Sequence, residues 1–386
     1  MKVLIFLLLT LVCVSVSDQV NAQAKDKFAG FPEPQEDFQA HIAEVKDYLL
    51  ATQLPSRKAS DVRYNLPFQK QAKAGVPYRG RFLLIHGLND SPYVFSDVAT
   101  QLTDRGFDVR ALLLPGHGNT PEAQLNMSHE RWLNAARQHL QLWKKEDTPI
   151  YLGGFSMGSV ISTILALEDD DIDGLLLFSP AYKSTMNKLL RWSSLYSHFE
   201  PWVFGNMIIE DNPTKYNSVP VNGGAQYYNL IKNLKRQWGS RSLDIPVLAI
   251  ASLDDSVVDV GFVIQLFKKR FTSSKKRLLI YSNATNQQDE NTIDYRTSGY
   301  PELRIINQSH QGVIIAPSNP LLGKEGSILV CNGNDWPSFS GCLNSKVGHW
   351  FGAQNTPSPN EIPMARTTYN PDFANVFAEF EKVFYE

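Results

Sequence analysis

Ser156 sits between two glycines in Gly154-Phe155-Ser156-Met157-Gly158, directly after the apolar run Pro149-Ile150-Tyr151-Leu152 and ahead of a helix-like run from Val160 to Leu167. A strand that turns sharply into a helix holds its middle residue in a strained conformation, and flanking glycines remove side chains that so tight a corner cannot hold. A serine placed there stands exposed above a sheet as a nucleophile. The Met157 N–H and the positive end of the following helix face the same spot, where they would stabilise negative charge on a substrate oxygen. Serine alone is a poor nucleophile at neutral pH. It needs a base to take its proton and a carboxylate to hold that base in the right tautomer.

The elements that would position these groups alternate. Arg81 to Ile85 reads as a buried strand ending in His86-Gly87-Leu88-Asn89-Asp90, a helix-like segment runs from Tyr93 to Arg105, and Phe107 to Leu114 gives another strand closed by Pro115-Gly116-His117-Gly118. Such alternation predicts a parallel sheet with helices on both faces, and its chemistry is carried on loops at the C-terminal strand ends. His86-Gly87-Leu88, Leu114-Pro115-Gly116-His117-Gly118 and Gly154-Phe155-Ser156-Met157-Gly158, in that order, resemble the α/β-hydrolase family, in its branch of monoacylglycerol lipases, lysophospholipases and simple carboxylesterases. The resemblance is close over Arg81 to Ala181, looser over Ser242 to His310, and fades elsewhere. It implies a mostly parallel central sheet with an inserted cap, and the chain order serine, acid, histidine.

After Ser156, the strand Pro246 to Ala251 ends in Leu253-Asp254-Asp255-Ser256-Val257-Val258. Both aspartates are candidates. The family pattern of a doubled aspartate before a Val-Val pair points to the first, so Asp254 is the expected acid and Asp255 a turn or capping residue. Of eight histidines, His86 and His117 fall inside loop motifs, and His41, His129, His139 and His198 precede any last strand or lie in helical segments. His310 follows the strand-like Leu303-Arg304-Ile305-Ile306, whereas His349 lacks a clear preceding strand, so His310 is the expected base. Here the chain departs from the family: Arg277 to Tyr281 already fills the strand position after the acid, with no histidine close behind. Either an insertion, Asn283 to Glu302, intervenes, or the sheet has an extra strand. The second oxyanion donor is expected at Leu88 N–H, with Met157 N–H the first.

Lys2, the apolar stretch Val3 to Val16 and the small-residue end Val20-Asn21-Ala22 read as a cleaved secretory signal, residues 1–22, with a retained anchor as the alternative. The expected location is secreted or periplasmic. Two cysteines then remain. Cys331 and Cys342 suggest one local disulfide in an exported chain, with free thiols as the alternative. No Cys/His spacing resembles a metal site and no cofactor is implied. A net charge of −2, with 43% hydrophobic and 20% charged residues, points neither to nucleic acid nor to electrostatic docking on membranes, and the N-terminal run is short for a stable membrane span. Oligomeric state is not legible.

The expected organisation is an N-terminal extension at 23–78, a core at 79–181 and 244–386 with a long loop region at 311–371, and a cap at 182–243. The cap is rich in aromatics, Trp192, Tyr196, Phe199, Phe204, Tyr227 and Trp238 among them. These would either line an acyl pocket or form the cap's own small core. No long continuous apolar surface suited to a lipid–water interface is expected there. The chemistry expected is hydrolysis of short-to-medium acyl esters, with a small-molecule ester or lipid, such as a monoacylglycerol or lysophospholipid, as substrate. A serine peptidase or acyltransferase on the same fold is the alternative, and a non-catalytic binding protein the more distant one. An aspartate would stand at position 156 in a haloalkane dehalogenase or epoxide hydrolase.

Overall fold

A computed structural model describes residues 30–284, 291–331 and 339–385, so the expected signal segment 1–22 lies outside the described residues. Helix α1 (Phe38–Thr52) starts at Asp37, whose carboxylate accepts the Gln39 and Ala40 amides. Then follow β1 (Phe68–Lys70), β2 (Gly80–Ile85), α2 (Ser96–Thr103), β3 (Phe107–Leu112), α3 (His129–Trp143), β4 (Ile150–Phe155), α4 (Met157–Glu168) and β5 (Ile172–Phe178). After β5 come α5 (Asn187–Tyr196) and α6 (Val221–Trp238), before β6 (Val247–Ser252), α7 (Val260–Arg270), β7 (Lys276–Ser282) and β8 (Ile293–Thr297). The chain ends with α8 (Phe339–Leu343), β9 (Trp350–Gly352), β10 (Met364–Arg366) and α9 (Phe373–Phe384).

Eight strands form one sheet in the order β1-β3-β2-β4-β5-β6-β7-β8, parallel except for β1, which runs antiparallel to β3. The central strands are buried on both faces, which is why they read as unbroken apolar runs instead of alternating. Trp132 and Leu133 of α3, Ile161 and Ile164 of α4, Leu230 and Leu234 of α6 and Phe267 of α7 pack on one face. Val98 and Leu102 of α2 and Phe373, Phe377 and Phe380 of α9 pack on the other. This is the parallel sheet with helices on both faces expected from the alternation, and the α/β-hydrolase architecture that the motif resemblance implied.

The extra-strand alternative holds, but the added strand is β8, parallel to β7, and not the expected run Leu303 to Ile306. That run instead closes a tight turn. Tyr300 and Ile305 exchange backbone hydrogen bonds of 2.8 and 3.0 Å, and Arg304 between them takes a left-handed conformation with φ of 55°. Ile305 and Ile306 then pair with Phe351, far along the chain, a partner that local pattern cannot reveal. Cys331 and Cys342 form a disulfide with a Cα–Cα separation of 5.8 Å, packed against Ala365 and Phe351. No helix among the described residues is long and apolar enough to cross a membrane.

Residues between β5 and β6 divide sharply in their packing. Tyr182, Tyr227 and Trp238 are buried in the core beside the sheet, and the Tyr227 hydroxyl donates to the Ala181 carbonyl at 2.7 Å. Residues 212–218 are tied down by polar bonds: Arg57 Nη2 donates to the Asn212 and Lys215 carbonyls, Asn65 Nδ2 to Pro213, and the Tyr216 amide to Asn89. In contrast Trp192, Tyr196, Phe199 and Phe204 are exposed.

Candidate active site

Ser156 lies at the corner between β4 and α4, with φ of 55° and ψ of −117°, a conformation costly for any residue with a side chain. The corner is closed by contact: a Cβ on Gly158 would lie 1.8 Å from the Ile85 carbonyl oxygen, and one on Gly154 would lie 2.4 Å from Ser159 Cα. Only glycine fits at either position. The Ser156 amide donates to the Phe178 carbonyl at 2.9 Å, and its carbonyl accepts the Ala181 amide at 3.2 Å, so the β5 end braces the corner. Met157 is the first residue of α4, and its N–H has no acceptor within the helix. Gly87 abuts the serine, since a Cβ built there would lie 3.1 Å from Ser156 Cβ, and this brings the loop carrying Leu88 alongside.

His310 reaches the same end of the sheet. Its ring centroid lies 5.1 Å from that of Phe155, and its carbonyl accepts a 2.7 Å hydrogen bond from Ser179 Oγ, just past β5. His310 Nδ1 donates to Asp255 Oδ2 at 2.6 Å. The Asp255 side chain is wholly buried. Its other oxygen, Oδ1, accepts the Val257 and Val258 amides at 2.8 and 3.0 Å. A proton on Nδ1 makes Nε2 the basic nitrogen of the neutral ring.

The expected acid, Asp254, is therefore not the histidine's partner. Asp254 Oδ2 accepts from Ser298 Oγ at 3.3 Å instead. His349 donates from Nε2 to the Cys342 carbonyl at 2.7 Å, within the disulfide-linked segment. His86 accepts the Leu114 amide at Nε2 (3.0 Å) and donates from Nδ1 to the Gly87 carbonyl (2.8 Å), bridging two loops. Its neighbour His117 donates to Pro115, and burial pushes its pKa down to about 4, so it is neutral at physiological pH.

Three charged residues near this site carry no signature in the sequence. Lys215, half-buried, donates from Nζ to Gln311 Oε1 at 2.7 Å, one residue past His310. Arg366 lies within the electrostatic reach of Asp255 and repels Lys215. Asp90, in the loop after Leu88, is buried, and burial pushes its carboxyl up to about 6 against the opposing pull of Lys215, the Ser91 amide and His310. Its folded pKa exceeds the unfolded value, so ionisation works against the fold, with no cost below about pH 4 and the full cost above about pH 6. Asp90→Asn keeps the acceptor for Ser91 and removes that cost. Urea titrations should find the variant stabilised by up to about 3 kcal/mol at pH 7.5 and by almost nothing at pH 4. A gain at pH 4 equal to that at pH 7.5 would show that ionisation is not its cause.

A family model described as Hydrolase_4, serine aminopeptidase S33, matches residues 77–285. The chain belongs to this family. The family's match spans β2 to β7, and with them Gly87-Leu88, Ser156 and the Asp254-Asp255 pair, but stops short of His310. No curated protein matches. Solved structures similar to this family member include one described with LipS and LipT, two metagenome-derived lipolytic enzymes, at 19% identity and a TM-score of 0.48, covering 56% of this chain and 87% of that one. The monoglyceride lipase of Saccharomyces cerevisiae is similar at 18% identity and a TM-score of 0.44, covering 57% of this chain and 82% of the other. A Paleococcus ferrophilus monoacylglycerol lipase is similar at 18% identity and 0.46, covering 56% and 89%.

Proposed function

We propose that this hydrolase is an exported serine esterase that cleaves short-to-medium acyl esters, monoacylglycerols or lysophospholipids among them. Ser156 attacks the ester carbonyl. His310 Nε2 takes the serine proton and returns it to the leaving alcohol, and Asp255 holds the imidazolium. The Leu88 and Met157 N–H groups receive the oxyanion, and water resolves the acyl-enzyme. The observation that carries this reading is the buried Asp255–His310 pair at the same sheet end as the strained Ser156 corner. Export is supported by the disulfide and by the apolar N-terminal run.

This reading puts the acyl group in a cavity of about 350 Å³ between residues 207–217 and the disulfide-linked segment, walled by Met207, Ile208, Ile328, Leu329 and Leu343 together with the polar Asp211, Asn212 and Asn217; Ser156 and His310 do not line it. Its edge at Asn212 adjoins the stretch in which Lys215 bonds Gln311, beside His310. The aromatic residues expected to line an acyl site take no part in these walls. The test is a series of p-nitrophenyl esters alongside aminoacyl amides. Each added CH₂ contributes up to about 0.8 kcal/mol, so kcat/KM should climb as much as about fourfold per carbon until the cavity is filled, then level off. A flat profile from acetate to decanoate, or amides cleaved faster than every ester, would overturn the ester reading.

A further inference from the structure

The stretch after His310, residues 311–371, lies beyond the family match, yet it folds back onto the histidine's own loop. Phe351 of β9 donates to the Arg304 carbonyl and accepts the Ile306 amide, both at 2.8 Å. Asn307 Oδ1 accepts the Ala353 amide at 2.7 Å, and the Asn307 carbonyl accepts from Thr367 Oγ1 at 2.7 Å. Ser309 Oγ donates to the Thr367 carbonyl at 2.6 Å. Residues 304–309, which lead into His310, therefore rest on β9 and on the residue that follows β10. The core holds the same loop from its other side, through Ser252 Oγ on the Gln308 carbonyl, the Gln308 amide on Ser298 Oγ and Ser179 Oγ on the His310 carbonyl. Losing the β9–β10 side would displace the loop without releasing it.

That support is slight by itself. β9 and β10 are parallel strands of three residues each, paired with one another, and a ribbon so short is not stable in water unaided. The Cys331–Cys342 disulfide supplies what it lacks, because each cysteine's segment is bonded to one of the strands. The Arg366 amide of β10 donates to the carbonyl of Val330, next to Cys331, at 2.7 Å. His349, next to β9, donates to the Cys342 carbonyl. Phe351 and Ala365, partners in the ribbon's register, pack on both buried cysteines. Cutting the disulfide loosens both strands together. Asp255 and Ser156 do not move with them, since the Val257 and Val258 amides hold the first and the β4–α4 corner holds the second.

We propose that the disulfide-linked ribbon is the positioning element for His310: the bond between Cys331 and Cys342 sets where the ring meets Asp255 and Ser156, and reducing it slows proton transfer without unfolding the chain. The effect on rate rests on the esterase reading, whereas the effect on the Asp255–His310 contact does not. In the reduction, one thiolate of a dithiol attacks a cystine sulfur and releases the other cysteine, which takes up a proton. The second thiolate of the dithiol then displaces the first cysteine, leaving two protein thiols and an oxidised, cyclic reductant. Cys331 lines the aliphatic cavity, which gives a small dithiol a route to it. A shift of the base by about 1 Å is enough to cost on the order of 10²-fold in rate.

The oxidised chain, the chain reduced by dithiothreitol with Cys331 and Cys342 verified as thiols by alkylation, and Thr367→Val, which removes the bond to Asn307 but keeps the disulfide, are compared by proton NMR and by kinetics. A proton in a bond as short as the 2.6 Å one from His310 Nδ1 to Asp255 resonates far downfield of the amides. Its signal, assigned by its absence from His310→Ala, reports on the pair without any turnover. Reduction should broaden or remove the signal and lower kcat for p-nitrophenyl acetate on the order of 10-fold or more, with KM changed less than about twofold, and reoxidation should restore both. Thr367→Val should act in the same direction, and Thr367→Ser, which keeps the hydroxyl, should not. A role only in walling the cavity would raise KM for longer acyl esters while sparing the signal and kcat for the acetate, and that result overturns the proposal. So does an unchanged signal and kcat in a folded, fully reduced chain. Unfolding on reduction, seen by circular dichroism, would overturn the redox part, and Thr367→Val would then decide whether the ribbon positions His310. No hydrolysis by the oxidised chain, with the signal still lost on reduction, would end the esterase reading and leave the positioning of His310 standing.

Discussion

Ser156→Ala is expected to lower kcat for p-nitrophenyl butyrate by on the order of 10⁴-fold or more and to abolish labelling by a fluorophosphonate probe. The loss should arise from chemistry and not from folding. The Ser156 side chain is half-buried and the corner around it is fixed by backbone contacts: its own amide on Phe178, its carbonyl under Ala181, and the close approach of Gly158 to Ile85. Alanine keeps all of these, and it keeps the positive φ as well. Glycine at 156 would remove the backbone strain, of order 1–3 kcal/mol, while deleting the same nucleophile. Ser156→Gly should therefore be as inactive as Ser156→Ala yet unfold at a higher temperature. Measuring turnover and thermal unfolding on both variants separates strain from catalysis. Substantial turnover in either would end the serine-hydrolase reading.

The corner itself was readable because its requirements are local: an apolar strand, two glycines and a helical run, all within about twenty residues. The buried strands were readable for a similar reason, since burial on both faces leaves an unbroken apolar run. The choice between Asp254 and Asp255 was not. An aspartate at either position has backbone amides two and three residues ahead that its carboxylate can accept, and only the arrival of the His310 loop decides which one turns inward. The strand β8 and the turn at Arg304 were hidden because their partners, β7 and Phe351, are set by long-range pairing. Lys215, Asp90 and Arg366 come from three separate stretches of sequence, and nothing in their spacing announces that they meet near His310.

The pair of aspartates gives the second large expected effect. Asp255→Asn should lower kcat by on the order of 10³ to 10⁴-fold, as should His310→Ala, whereas Asp254→Asn should cost no more than a few-fold. The reason is tautomeric. Asp255 Oδ2 accepts from His310 Nδ1, which leaves Nε2 as the base. An asparagine whose carbonyl stays on the Val257 and Val258 amides presents its NH₂ to Nδ1, moves the ring proton to Nε2 and removes the base while conserving the shape of the site. Asp254 instead accepts from Ser298 near the edge of the sheet, and an asparagine there can keep that acceptor. The pH profile supplies an independent readout: Asp255→Asn should recover part of its rate at high pH, where hydroxide can take the serine proton, while His310→Ala and Asp255→Asn combined should be scarcely worse than either alone, because the two act as one unit. If Asp254→Asn proves the more damaging of the two, the buried Asp255–His310 hydrogen bond is structural and the acid must be sought at the neighbouring residue.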